Sequence, residues 1–162
     1  MTSVARADVV IEERELELEK LAIAGLLELL NKEQSALAGN EVDALEALAT
    51  EKLGRLAQLT RYSEQRNARL RAAGHSPDLA GMQAWLAARS DYPAIANAWA
   101  RVGGLAREAR DQNEINGFMV AMQLQRTQRQ LAFLNRVASN EPIYASDGVA
   151  RSAVRQRSLG EA

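Results

Sequence analysis

The chain has no cysteine, one histidine and three prolines among 162 residues, and aromatic side chains make up only 4%. Without cysteine there are no disulfides, thiolate metal sites or thiol nucleophiles. The single histidine, His75, cannot by itself build a catalytic triad or a common zinc site. No glycine-rich loop precedes a Lys-Ser/Thr pair, and no G-x-S-x-G or H-E-x-x-H occurs. Neither a metal nor another cofactor is expected, and the many glutamates lack a pocket to tune them for acid-base work. Charge imbalance is absent too: a formal net charge of −1 gives no general attraction to nucleic acid or to an anionic membrane. The longest uncharged run, Ile115 to Gln125, falls far short of the roughly 18 residues a spanning helix needs. Near the start, Arg6 and Asp8 precede a Val9-Val10-Ile11 run too short for a secretory signal. The expectation is a cytoplasmic, non-enzymatic protein with no membrane-inserted part.

What the chain does contain is Ala, Leu, Glu, Gln and Arg, a composition that favours helix over sheet. The apolar share of 47% is enough for the core of one bundle. The expected fold is all-α: an elongated antiparallel helical bundle or coiled coil with three main helices, one short helix and a flexible C-terminal tail. The bundle is assigned to residues 1–140 and the tail to residues 141–162.

A stretch of forty-odd residues with no internal proline runs from Tyr92-Pro93 to Ser139-Asn140. Its apolar and small residues, Ile95, Trp99, Val102, Ala106, Ala109, Asn113, Asn116, Val120, Leu124, Thr127, Leu131, Leu134 and Ala138, follow heptad spacing with one extra four-residue step after Val120. That is a seam with a stutter. Such a helix is roughly 70 Å long at about 1.5 Å per residue, so it needs partner helices along its length. Ahead of it, Val9, Leu16, Ile23, Leu30 and Leu37 recur every seven residues, and Gly39 supplies a stop. Asn40 is placed as the cap of a second helix, answered by Asp43. That helix carries Val42, Leu45, Leu48, Ala49, Leu53, Leu56 and Leu59, and Gly74 ends it.

A turn as short as Gly39-Asn40 makes these two helices antiparallel. The arginines of the second, Arg55 to Arg71, then face the glutamates of the first, Glu12 to Glu19, which are otherwise read as a solvated face. Ser76 and Pro77 open a short helix, and Trp85 and Trp99 brace the break at Asp91-Tyr92-Pro93. Gly103-Gly104 lies within the long helix as a candidate kink.

No enzyme signature emerges, and attention falls on Asn113-Glu114-Ile115-Asn116-Gly117-Phe118-Met119-Val120. Asparagines in a seam fix register or partner choice at a cost in stability. Gly117 costs about 1 kcal/mol more in a helix interior. Three unfavourable residues together, beside the adaptable Met119 and Met122, suit a surface that receives a partner.

These residues resemble the FlgN family of bacterial flagellar type III export chaperones. The matching features are Leu26-Leu27-Glu28, then Leu45 and Leu48 before Glu51-Lys52-Leu53, the two tryptophans around a break, and Ala109 to Gly117 with its Asn-x-x-Asn-Gly. They continue into Tyr144-Ala145-Ser146-Asp147-Gly148, where Ala145 replaces a glycine usual in the family. The resemblance implies a chaperone that binds the C-terminal amphipathic helices of the hook–filament junction proteins FlgK and FlgL. It also implies delivery to the export gate protein FlhA, with FliJ as a further partner. Client binding is assigned to Asn113, Asn116, Gly117, Val120, Leu124, Leu131 and Leu134, and docking to the export gate to Tyr144. The same apolar residues would also serve a homodimer. The competing class is a structural coiled-coil stalk component, resembling FliJ and without an apolar client; a weaker one is a nucleic-acid binder using Arg151, Arg155 and Arg157.

Overall fold

The computed structural model describes residues 3–138, with side chains from Glu12 onward. The expected boundary at 140/141 and the tail lie outside those residues. Four helices account for nearly all of the described chain: α1 (Ser3–Gly39), α2 (Val42–Ala72), α3 (Leu79–Ala87) and α4 (Pro93–Ala138). No strand occurs among the described residues. The fold is all-α with three long helices and one short one, and α4 passes through Gly103-Gly104 without a break. The chain divides at Met119/Val120 into two compact units.

In the first unit each long helix turns a strict heptad seam inward. On α1 the inward residues are Glu12, Leu16, Glu19, Ile23, Leu26, Leu30, half-buried Glu33 and Leu37. On α4 they are Ile95, Ala98, Val102, Leu105, Ala109, Gln112, Asn116 and Met119. Here the structure departs from the expected seam. Ala98, Leu105 and Gln112 replace Trp99, Ala106 and Asn113 in part. The α2 seam departs further: Lys52, Arg55, Tyr62 and Arg66 are half-buried, whereas Val42, Leu53 and Leu56 are exposed.

Long cationic stems can cover apolar surface while their heads reach a carboxylate. Lys52 Nζ lies 3.0 Å from Glu33 Oε2, Arg66 pairs with Glu19, and Arg69 with Glu15. As the α2 number rises its α1 partner falls, so the hairpin is antiparallel. The Arg89 guanidinium grips Glu12 through two bonds of 2.9 Å, and Arg101 bonds Glu17 at 2.9 Å. On this side both numbers rise together, and α4 runs parallel to α1. The glutamate face is therefore not simply a solvated one: Glu12 and Glu19 are 9% and 7% exposed, and Glu15 and Glu17 are half-buried.

Two apolar clusters fill the first unit. Leu16, Leu70, Met82, Trp85, Ile95 and Ala98 join the start of α1 to the end of α2, α3 and the start of α4. Ile23, Leu26, Leu30, Val102 and Ala109 continue upward, and Trp99 packs on both clusters as the expected brace. Full burial of a Leu or Ile side chain contributes about 1.5–3 kcal/mol, and Leu30 and Ile95 are each at that limit.

Two caps differ from the sequence reading. Asn40 adopts φ 55 as the residue beyond the end of α1, with Asn40 N–H donating to Leu37 O at 3.2 Å and Glu41 N–H to Ala36 O at 2.9 Å. This left-handed ending takes the place of the cap expected for α2, whose N-cap is Glu41 without a side-chain bond. For α3 the cap is Asp78, not Ser76: its Oδ1 accepts from Gly81 N–H at 2.7 Å and from the Ser76 hydroxyl at 2.7 Å. Gly74, at φ 80, ends α2 as expected.

Candidate docking surface

The first unit has one polar key at its upper end. Asn116 is 1% exposed, and its Nδ2 donates to Leu30 O at 2.8 Å and to Glu33 Oε2 at 2.7 Å. Gln112 Nε2 donates to Asn116 Oδ1 at 3.0 Å, and Lys52 bonds the same Glu33 from α2. Glu33 thus ties α1, α2 and α4 at one level. A half-buried carboxylate with both a cation and an amide donor is satisfied, and a shifted register would leave it bare.

Asn116, expected to meet a partner, lies inside the bundle with its amide already engaged. Asn113 lies one step round the helix and is exposed. It edges a groove of about 360 Å³ floored by Ile23, Leu26 and Leu30 and walled by Leu56, Leu59, Ala106 and Ala109. Gly117 is also exposed, and a Cβ built there meets nothing within 4 Å. Nothing in the fold of the first unit requires glycine at that position.

The described part of the second unit is the last five turns of α4. Within it Val120, Leu124, Leu131 and Leu134 are 50%, 58%, 54% and 58% exposed. Their spacing of four, seven and three puts them on one stripe of the helix. Four of the seven expected client residues therefore share a face here, while Asn113, Asn116 and Gly117 belong to the first unit. Met122, noted in the sequence as adaptable, is likewise 51% exposed, as are two residues that sequence reasoning passed over, Phe133 and Val137, at 57% and 47%. Arg126 and Arg129 stand between them at helical spacing and are exposed. The signal was available, because between Glu114 and Glu141 the chain has three arginines and no acidic residue. Tyr144 lies outside the described residues.

The first unit is a helical bundle whose buried charges are paired, and the described part of the second unit is a helix with exposed apolar side chains. The chain belongs to the FlgN family: the family profile, described as FlgN protein, matches residues 13–152. This is a family of flagellar export chaperones and not of enzymes. Comparison with curated proteins and with solved structures gives no match. No described helix is long and apolar enough to cross a membrane.

Proposed function

We propose that this protein is a cytoplasmic chaperone that binds the C-terminal amphipathic helices of FlgK and FlgL, keeps them from premature assembly, and delivers them to the export gate protein FlhA. The observation that carries this reading is the stripe Val120, Leu124, Leu131 and Leu134, each half or more exposed on a helix. Junction-protein termini that fold only on docking are helix-in-groove ligands, anchored at i, i+3, i+4 and i+7. Each anchor contributes up to about 1.5–3 kcal/mol, offset by the cost of ordering the client. Asn113 and Gly117, in the first unit, are proposed as further client contacts, the glycine by admitting a close backbone approach. Asn116 serves it indirectly, by holding α4 against α1.

Tyr144 is proposed as the export-gate contact, and FliJ as a further partner. Homodimerisation through the same stripe is the competing use of these leucines. The test is calorimetric titration with synthetic C-terminal helices of FlgK and FlgL. Leu124→Ala and Leu131→Ala should each weaken binding by about tenfold or more, a loss of roughly 1.4 kcal/mol, with helicity kept. Tyr144→Ala should leave that titration unchanged while weakening binding to FlhA. Unchanged client affinity together with a collapsed melting temperature would place the leucines in a permanent core and refute the assignment.

A further inference from the structure

Residues 120–138 carry a second stripe, about half a turn of the helix away from the leucines, formed by Met122, Arg126, Arg129, Phe133 and Val137. Every one of these side chains is exposed. Met122, Arg126, Arg129 and Phe133 line one shallow concavity on the helix surface. Arginine, methionine and phenylalanine are the residue types enriched in interface cores, where an apolar anchor and a planar cation act together. From the sequence, the segment 120–138 has three arginines and no acidic residue.

We infer that this stripe docks an acidic amphipathic helix of another protein. Charge decides the occupant. A second copy laid on the same stripe would oppose arginine with arginine, and like charges across an interface disfavour association. Nor does the acidic face of α1 suit the role in a second copy, because Glu12, Glu15, Glu17 and Glu19 already pair with Arg89, Arg69, Arg101 and Arg66 of their own chain. A foreign helix with apolar anchors and flanking Asp or Glu meets both requirements. The inference does not depend on the proposed FlgK and FlgL clients, whose stripe is made of other residues and meets this one at Leu134, on the border of the same concavity.

The test uses the full chain and two fluorescein-labelled peptides that share one leucine heptad and differ only in Glu or Lys at the flanking positions. Fluorescence anisotropy should give at least about tenfold tighter binding of the Glu peptide, weakening as salt is raised. Arg126→Glu with Arg129→Glu should abolish or reverse that preference. Leu124→Ala with Leu131→Ala should leave it intact even where it weakens the FlgK and FlgL titration. All four positions are exposed, and the variants should keep the helicity of the parent, as circular dichroism would check. Equal affinity for the two peptides would overturn the inference, as would equal loss in the leucine variant. So would sedimentation showing that the stripe is buried in a homodimer, or binding only to phosphatidylglycerol vesicles and to neither peptide.

Discussion

Replacing Asn116 by alanine removes two donated hydrogen bonds at once and leaves the Leu30 carbonyl and the Glu33 carboxylate short of a partner. Glu33 keeps Lys52, so the expected cost is about 1–3 kcal/mol, the range for a buried acceptor losing its donor. Urea denaturation measures it. Because both residues belong to one network, the cost of Asn116→Ala should shrink in a Glu33→Ala background, as a double-mutant cycle would show. The adjacent Gly117 responds in the opposite sense. A Cβ there meets open space, so Gly117→Ala should stabilise the free protein by about 0.5–1 kcal/mol, the usual gain over glycine in a helix interior. If a client backbone approaches that point, the same substitution weakens client binding, and the two readouts separate folding from docking.

At the level of elements, the joint between α2 and α3 depends on two residues that sequence periodicity does not single out. Gly81 is buried in the first turn of α3, and a Cβ there would lie 1.8 Å from the Ser76 carbonyl oxygen. Gly81→Ala must therefore displace backbone, and a loss of about 1–3 kcal/mol in thermal or urea unfolding is expected. Asp78 accepts from the Gly81 N–H and from the Ser76 hydroxyl, which together hold its carboxyl below the ordinary aspartate value. A depressed folded pKa means the unfolded chain binds the proton more readily. The stabilisation is thus complete above the ordinary aspartate pKa and is lost as pH falls through the lower folded value. The gap in melting temperature between the parent and Asp78→Ala should be full at neutral pH and close on acidification.

The helices, their order, the antiparallel hairpin and the glycine ending of α2 were legible because apolar period and turn chemistry coincide there. The seams were only half legible. A search for apolar residues at heptad spacing selects Leu53 and Leu56 over Lys52 and Arg55, because it cannot know that Glu33 awaits Lys52 across the hairpin. On α4 the same search took Val120 as the step after Asn116. The inward spacing runs on to Met119, and the exposed leucines belong to a different stripe. Of the candidate site, the four aliphatic residues could be read from the sequence. The burial of Asn116 could not, since an asparagine amide suits a partner's backbone as well as its own bundle.

For the whole molecule, charge and apolar area are distributed unequally between the two units. Both apolar clusters, the five ion pairs that tie α1 glutamates to the rest of the bundle and the Asn116 key all lie within residues 1–119. Residues 120–138 contribute none of these and instead expose six large aliphatic or methionine side chains and Phe133. Apolar surface left uncovered in this way marks a binding region more often than a structural one. A chain ended after Met119 should accordingly keep a cooperative thermal transition and the near-ultraviolet signal of Trp85 and Trp99. Its midpoint should lie close to that of the full chain, because no member of either cluster has been removed. The same truncation should abolish the heat of titration with FlgK and FlgL helices. A truncated chain that melts without cooperativity would show that the last turns of α4 are needed to fold the first unit, and the separation of folding from binding between the two units would then be wrong.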